Sequence, residues 1–429
     1  MMETATETTI KDNLLELLQS AADGAALPAG IVARRDIARE RLNGLSVPNL
    51  RHEEWKYSDM ERVLGTFNFV LPKSSNHFET GISDRNSIYL HNGRIEKVEL
   101  TPEAKESLVI LPLGPAMEQY PEMMEKYLGS LITPDDFFSN LNMAFPANGI
   151  FLFVKDNAKV KDPVFMYQDC YDEKEMYVQS HNLVVVGKNA SLTVIKKQVC
   201  SGNGARVFHN MLSELILEEG AEFSFNRLQN ECKDTYQVTY LTAGLKKDAR
   251  LDLTNIAIGG SFTRNNFHVA LDGSHSNARL TGLTILNGKQ HSDSWVNIRH
   301  NMPECESDQL FKSIVNDEST SAFSGKIFVA RDAQKTNAYQ SNKNIVLTEK
   351  ANAYSKPQLE IYADDVKCSH GSTTGQIDEE GLFYLRARGI KEAAARKLLL
   401  YAFAENIVDR LGDENFRSEV HDMIHQKFN

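Results

Sequence analysis

The chain has no C-x-x-C pair, and its five cysteines, at 170, 200, 232, 305 and 368, lie 30 or more residues apart. An odd number at that spacing gives no disulfide framework and no ready-made four-thiolate centre. A ferredoxin-like protein that keeps its own cluster is therefore not expected. No apolar run approaches the roughly 18 residues of a membrane span. Residues 1–10 are acidic and polar, without the basic segment and apolar core of a secretory signal, so the cytoplasm is the expected location. Positive charge is short as well: 47 Lys and Arg stand against 58 Asp and Glu, for a net charge of −11. Neither nucleic acid nor an anionic membrane is an expected partner. The phosphate cradle G-x-x-x-x-G-K-[ST] is missing, and Gly259-Gly-Ser-Phe-Thr-Arg264 has neither its lysine nor its spacing. ATP hydrolysis by this chain is not expected. G-x-G-x-x-G, H-E-x-x-H and G-x-S-x-G are absent too.

What is present is ordinary globular composition, 41% hydrophobic and 24% charged, in 429 residues, enough for two or three domains. Three textures follow one another. Residues 1–148 read as an α-rich amino-terminal region with some β: helical spacing over 11–45 and 115–145, a short helix within 51–64, and strand signals at 87–99 around Asn92-Gly93. From residue 149 to 377, short runs rich in Val, Ile, Leu, Phe and Thr alternate with Gly, Asn, Asp and Lys, and helical periodicity almost vanishes. Residues 378–429 return to helix. Asp378-Glu-Glu380 opens one, Gly389 ends it, and 392–411 and 414–427 carry broad apolar faces. Two such helices at the end of a chain are expected to close a solenoid's open end, to form a docking surface, or both.

Inside the β region a weak repeat recurs. Asn189-Ala-Ser-Leu192, Gly220-Ala-Glu-Phe223, Asp248-Ala-Arg-Leu251 and Asn277-Ala-Arg-Leu280 each place Ala after a turn residue, with the alanines 31, 28 and 29 residues apart. One tight corner per unit at such a period predicts a stacked solenoid, a parallel β-helix, over a β-sandwich whose turns recur every 8–12 residues.

The most informative segment is Cys368-Ser-His370-Gly371, which ends two strand-like runs at 358–362 and 365–368. In an extended backbone residues i and i+2 share a face, so Cys368 and His370 present a thiol and an imidazole together. These are the side chains that best hold zinc or iron. Gly371 is expected to let the chain leave the strand. Packing as a small hydrophobe is the other reading of Cys368.

The residues around this segment, KPQLEIYADDVKCSHGSTTGQIDEEGLFYLRARGI over 356–390, resemble the signature of the SufB/SufD family, scaffold subunits of iron–sulfur cluster assembly, and Arg51-His-Glu-Glu-Trp-Lys-Tyr-Ser58 resembles the amino-terminal signature of its SufD-type branch. Gly371 stands where SufB-type chains carry Glu after the His, which points to the same branch. The resemblance implies a right-handed parallel β-helix core with α-rich and α-helical ends. It implies a non-enzymatic scaffold that acts with a SufB-like subunit and a SufC-like ATPase, the latter docking on 378–429. His370 is implied as the residue that holds iron or a transient cluster shared with the SufB-like partner, and Cys368 matches a family position whose role as a metal ligand is less secure. The resemblance leaves open whether the isolated chain forms a homodimer. A reduced flavin is implied for the assembled complex, although no flavin motif is legible in this chain.

Several other residues have ordinary readings. Residues 290–300, with His291, Asp293, Trp295, Asn297 and Arg299 at alternate positions, read as a solvated polar face or a groove. Ser324–Lys326 and Gln340–Asn344 read as polar ladders that satisfy backbone groups. Trp55 and Tyr57 read as packing between the helical region and the β core. Arg386 and Arg388 read as charges at a helix carboxyl end. Two rival functions use the same fold, a β-helix carbohydrate-active enzyme and an adaptor that holds no metal. The first needs clustered carboxylates on a groove and is expected to be secreted.

Overall fold

A computed structural model describes residues 3–20, 27–72, 85–145, 148–170, 174–199 and 206–428. Its centre is a parallel β-solenoid. From residue 150 to 375 the strands alternate between two sheets, so each coil gives one strand to a ten-stranded sheet and one to a nine-stranded sheet. Each strand therefore pairs in parallel with the strand two further along the chain. Thr235–Leu245, for example, lies between Val207–Leu217 and Phe262–Leu271 with no register shift. The β-helix expectation holds.

The repeat marks one corner of the coil. Asn189, Gly220 and Asp248 have φ of 51°, 67° and 58°, and each N–H donates to a carbonyl of the next coil, on Glu219, Lys247 and Ser274. Asn, Gly and Asp are the residues that enter this left-handed region most readily. The alanine that follows each is fully buried (Ala190, Ala221, Ala249). The fourth unit is misplaced by the sequence reading. His275, with φ of 60°, stacks on Asp248, and the small buried residue is Ser276, while Ala278 pairs with Leu251 two residues into the strand. The ladder continues through Glu304 and Lys335, which no Ala marks.

The amino-terminal region does not stand apart from the sheets. Strands Ser87–His91 and Arg94–Glu99 extend the ten-stranded sheet, and Leu108–Pro112 extends the nine-stranded one. Around them lie helices Glu3–Ser20, Ala29–Gly44, Met60–Leu64, Leu113–Gln119, Pro121–Tyr127 and Phe137–Ala144. Helix over 115–145 is thus interrupted, because Pro121 opens a helix of its own rather than continuing the one before it. These helices cover the outer face of the nine-stranded sheet through Phe138, Leu141, Tyr177, Phe208, Leu212 and Tyr240.

The carboxyl-terminal helices are Glu379–Ala387, Glu392–Val408 and Glu414–Lys427. Asp378 and Asp413 cap the first and last, and Gly389 (φ 86°) ends the first, as expected. Their position is a correction. Leu400, Ala404, Ile407, Phe416, Val420 and Ile424 pack along the outer face of the ten-stranded sheet, against Ile195, Leu228, Ile256, Leu283 and Ile285. They cover the solenoid's flank and leave its end open, because their apolar stripe matches the aliphatic residues that the middle coils turn outward.

Cys170, Cys305 and Cys368 are free thiols, as a chain without a disulfide framework implies. Cys232 corrects that expectation, since it is disulfide-bonded. Cys200 lies outside the described residues.

Candidate functional site

The open end is built by the last two strands, Asn352–Ile361 and Val366–Gly375. Each is the terminal strand of its sheet, so one edge of each ten-residue strand has no partner among the described residues. Cys368-Ser-His370-Gly371 lies inside the second of these. The expectation that Gly371 releases the chain is corrected: the strand runs on to Gly375, with Gly371 in register with Ser341. A long ladder to the preceding coil keeps the segment extended, and no side chain stands against Gly371 to turn it.

The i, i+2 reading of Cys368 and His370 holds in this geometry. Cys368 is in register with buried Ala338 and packs with Ile327, Val329 and Ala338 at the lumen side. Two residues on, His370 is in register with buried Gln340. Ser372 Oγ donates to Ser355 Oγ across the lumen at 2.7 Å, and Asn344 Nδ2 donates to Thr374 Oγ1 at 3.1 Å. Alternate residues of the last strand thus line the mouth of the solenoid. No further coil covers them, so His370 is exposed and Cys368 is half-buried. Burial pushes the Cys368 thiol up, and a hydrogen bond with the Ala338 backbone partly offsets it. A thiol so placed becomes a ligand when a metal displaces its proton.

Two donors do not complete a tetrahedral site. Among the described residues the one group of three potential ligands is Glu405, Asp409 and His421, on the carboxyl-terminal helices, and it includes neither Cys368 nor His370. The mouth presents two possible donor side chains, Cys368 and His370, beside the two strand edges. Tyr339, Tyr354, Ile361 and Tyr362, on and beside the last strands, are exposed.

The amino-terminal signature braces this end. The Arg264 guanidinium lies 4.6 Å from the Trp55 ring and 5.8 Å from that of Trp295. It is paired with Asp293, and it donates to the Glu54 carbonyl at 2.7 Å. Ser58 Oγ donates to Asp293 at 2.6 Å. Further along, Tyr57 stacks on Tyr354 at 4.6 Å and Glu53 pairs with Lys356, both partners lying on the terminal strand Asn352–Ile361. Packing of Trp55 and Tyr57 against the β core was expected. The reading of 290–300 as a solvated face is corrected, because Asp293 and Trp295 are buried beneath the signature. Alternation alone does not show that a separate segment covers a polar face. Arg264 was not singled out in the sequence either, since its neighbours read as a glycine loop.

Gln340, Asn342 and Asn344 are buried between coils. Asn342 donates to the Phe311 carbonyl as a backbone-satisfying ladder should, whereas Gln340 Nε2 donates to Gln309 Oε1. Arg386 lies 3.5 Å from Glu392, and Arg388 lies over the Tyr384 ring. Phe383, Tyr384 and Leu398 on the carboxyl-terminal helices are exposed. No described helix is long and apolar enough to cross a membrane.

Comparison with known proteins adds the following. Residues 170–403 match the family model of the SUF system FeS cluster assembly SufBD core domain, and residues 10–166 match that of the SufBD protein N-terminal region. An iron–sulfur cluster assembly SufBD family protein of Synechocystis is 30% identical, the match covering 94% of this chain and 93% of that one. The iron–sulfur cluster assembly protein SufD of Escherichia coli is 28% identical over 90% of this chain and 91% of its own. The SufD protein of Bacillus subtilis is 25% identical over 77% and 76%.

Proposed function

The chain belongs to the SufBD family and has a role in iron–sulfur cluster assembly, and from that premise we propose that it is a SufD-type scaffold subunit whose open solenoid end forms half of a transient iron or cluster site. The observation that carries this reading is the juxtaposition of two ten-residue strand edges, without a partner among the described residues, with Cys368 and His370 at the same mouth. An uncovered edge is a template for another strand. A second solenoid presenting its own last coil, as a SufB-like subunit would, pairs with both edges and brings its ligands to His370. Iron or the nascent cluster is cargo here, and a site divided between two chains lets it leave. His370 is the principal ligand of this half. Cys368, half-buried among aliphatic side chains, is the secondary one.

The SufC-like ATPase docks on the carboxyl-terminal helices, which leave Phe383, Tyr384 and Leu398 exposed. Nucleotide hydrolysis belongs to that partner, and this chain acts as a cytoplasmic scaffold rather than an enzyme. Any flavin is held by the assembled complex. Self-pairing of the isolated chain would use the same two edges.

Co-expression with SufB-like and SufC-like subunits tests the proposal. The complex carrying His370→Ala is expected to assemble normally and to retain far less iron and acid-labile sulfide. Equal retention in wild type and variant would remove His370 from the site. Failure of the wild-type chain to form any complex would overturn the scaffold role itself.

A further inference from the structure

The lumen position that ends in His370 is occupied in the two preceding coils by glutamines. Gln309, Gln340 and His370 are in register on three consecutive strands of the ten-stranded sheet. Neighbouring strands lie about 4.8 Å apart, so these side chains stack on one another along the solenoid axis. Gln309 is fully buried and Gln340 is 3% exposed. Gln340 Nε2 donates to Gln309 Oε1 at 3.0 Å, which turns the Gln340 carbonyl oxygen away from Gln309. That oxygen has no hydrogen-bond partner, although it is buried. Buried side-chain acceptors in folded proteins are seldom left without one.

The opposite sheet holds the amide in place. Gly325 faces it across the lumen, and a Cβ there would collide with Gln340 Nε2 and come within 2.7 Å of its Cδ. Phe323 Cζ stands at the same distance from that Cβ position. The absence of a Cβ at Gly325 thus leaves the amide its place, beside Gln309 and the Gly325 backbone with Phe323 close by. Beyond it, on the open side, stands His370, exposed and free to change rotamer.

We propose that Gln340 is a positioning residue for His370, its Oε1 accepting a hydrogen bond from one imidazole N–H so that the other ring nitrogen is presented as a bare lone pair at the solenoid mouth. Imidazoles that ligate metals usually donate their second N–H to a carbonyl or carboxylate, which fixes both tautomer and ring orientation. The Gln309–Gln340–His370 ladder supplies such a carbonyl from a rigid interior to an otherwise exposed ring. This inference rests on the reading of His370 as a ligand for its purpose, but the hydrogen bond itself exists, or does not, without metal.

The test separates the two. In the metal-free full chain labelled with 15N-histidine, with His370 assigned by its loss in His370→Asn, the imidazole nitrogen shifts report the tautomer. Wild type is expected to hold one tautomer in clear excess over free histidine, Gln340→Leu to lose that excess, and Gln340→Glu, which keeps an acceptor, to retain it. A wild-type ring with the tautomer mixture of free histidine overturns the proposal even if no variant folds. Equal spectra for wild type and Gln340→Leu also overturn it. In the complex, Gln340→Leu is expected to lower iron retention 10- to 100-fold, the usual effect of removing such a partner, with Gln340→Glu restoring most of it. If His370→Ala leaves iron retention unchanged while the tautomer result holds, the ligand role fails and the positioning stands.

Discussion

The middle coils of the solenoid and its last coil are built from the same strand pair, yet they differ in what covers them. In the middle coils the lumen is filled by stacked side chains, one outer face lies under the amino-terminal helices and the other under the carboxyl-terminal helices. In the last coil the lumen-facing residues are half-buried or exposed, and among the described residues two strand edges have no partner. A solenoid of nearest-neighbour coils gains stability at each interface, and a terminal coil forgoes one of them. What the last coil forgoes in packing it keeps as accessibility. The difference sets the covered coils, which hold the fold, against the uncovered one to which we assign the site, and it separates substitutions that should unfold the protein from those that should only silence it.

The largest expected effect is at the seam where the amino-terminal signature closes over the covered coils. Arg264 and Asp293 are both almost wholly buried, and each is the other's charge partner. Asp293→Ala removes the carboxylate paired with the guanidinium, a loss of about 3–5 kcal/mol for a broken buried pair. The measurement is the denaturant midpoint. A shift below about 1 kcal/mol would mean that water reaches Arg264 and that the seam is not closed. Because Glu53 and Tyr57 join the same segment to the last coil, release of the seam should also loosen Asn352–Ile361, seen as faster amide exchange there.

Acidification probes the interior of the covered coils. Burial pushes the imidazole of His209 down to about 3, helped by nearby Lys196 and Arg227, and that of His300 down to about 4. An unfolded chain protonates histidine near pH 6.5. Between that value and the folded ones, the unfolded state binds protons that the folded state excludes, so stability falls as pH falls. At 1.36 kcal/mol per unit, each costs about 2 kcal/mol by pH 5. Chemical denaturation at pH 7 and pH 5 should show the loss, and His209→Gln with His300→Gln should flatten the slope. An unchanged slope in the double variant would show that these two groups do not govern it.

The covered coils were easier to read from sequence than their coverings. Alternating Val, Ile, Leu and Phe runs gave the strands, and Asn189, Gly220 and Asp248 gave the corner, because a left-handed turn restricts residue type strongly. The corner at His275 escaped because the turn there sets no preference that the string reveals, and Ala278 two places on imitated the pattern. What lies over a strand was not legible: Asp293 and Trp295 alternate as an exposed face would, and only the fold brings Trp55 across more than 200 residues to bury them. The same blindness put the carboxyl-terminal helices on the end rather than the flank. Cys368 and His370 were legible as a pair because two-residue spacing is local. Gln340 as a neighbour of His370 was not, since a register between coils is a property of the stacked solenoid.

The smallest effect gives the sharpest contrast, since it asks the same question of one residue type in each region. Gly282 lies in a middle strand, in register with Phe311 of the next coil, and a Cβ there would collide with the Phe311 ring. Phe311 packs in the lumen against Phe323, so the ring has little room to withdraw. Gly282→Ala should therefore cost about 1–3 kcal/mol, as overpacked cores do. Gly371 occupies a strand of the same sheet, but a Cβ there meets nothing within 4 Å. Gly371→Ala should stay within about 0.5 kcal/mol of wild type, in the manner of surface substitutions. Both values come from one denaturation series. If Gly371→Ala proved as costly as Gly282→Ala, the outer face of the last coil, opposite the mouth lined by Cys368 and His370, would be packed rather than bare. If Gly371→Ala is silent in the isolated chain but weakens assembly with a SufB-like subunit, the partner's approach is what fills the space above residue 371.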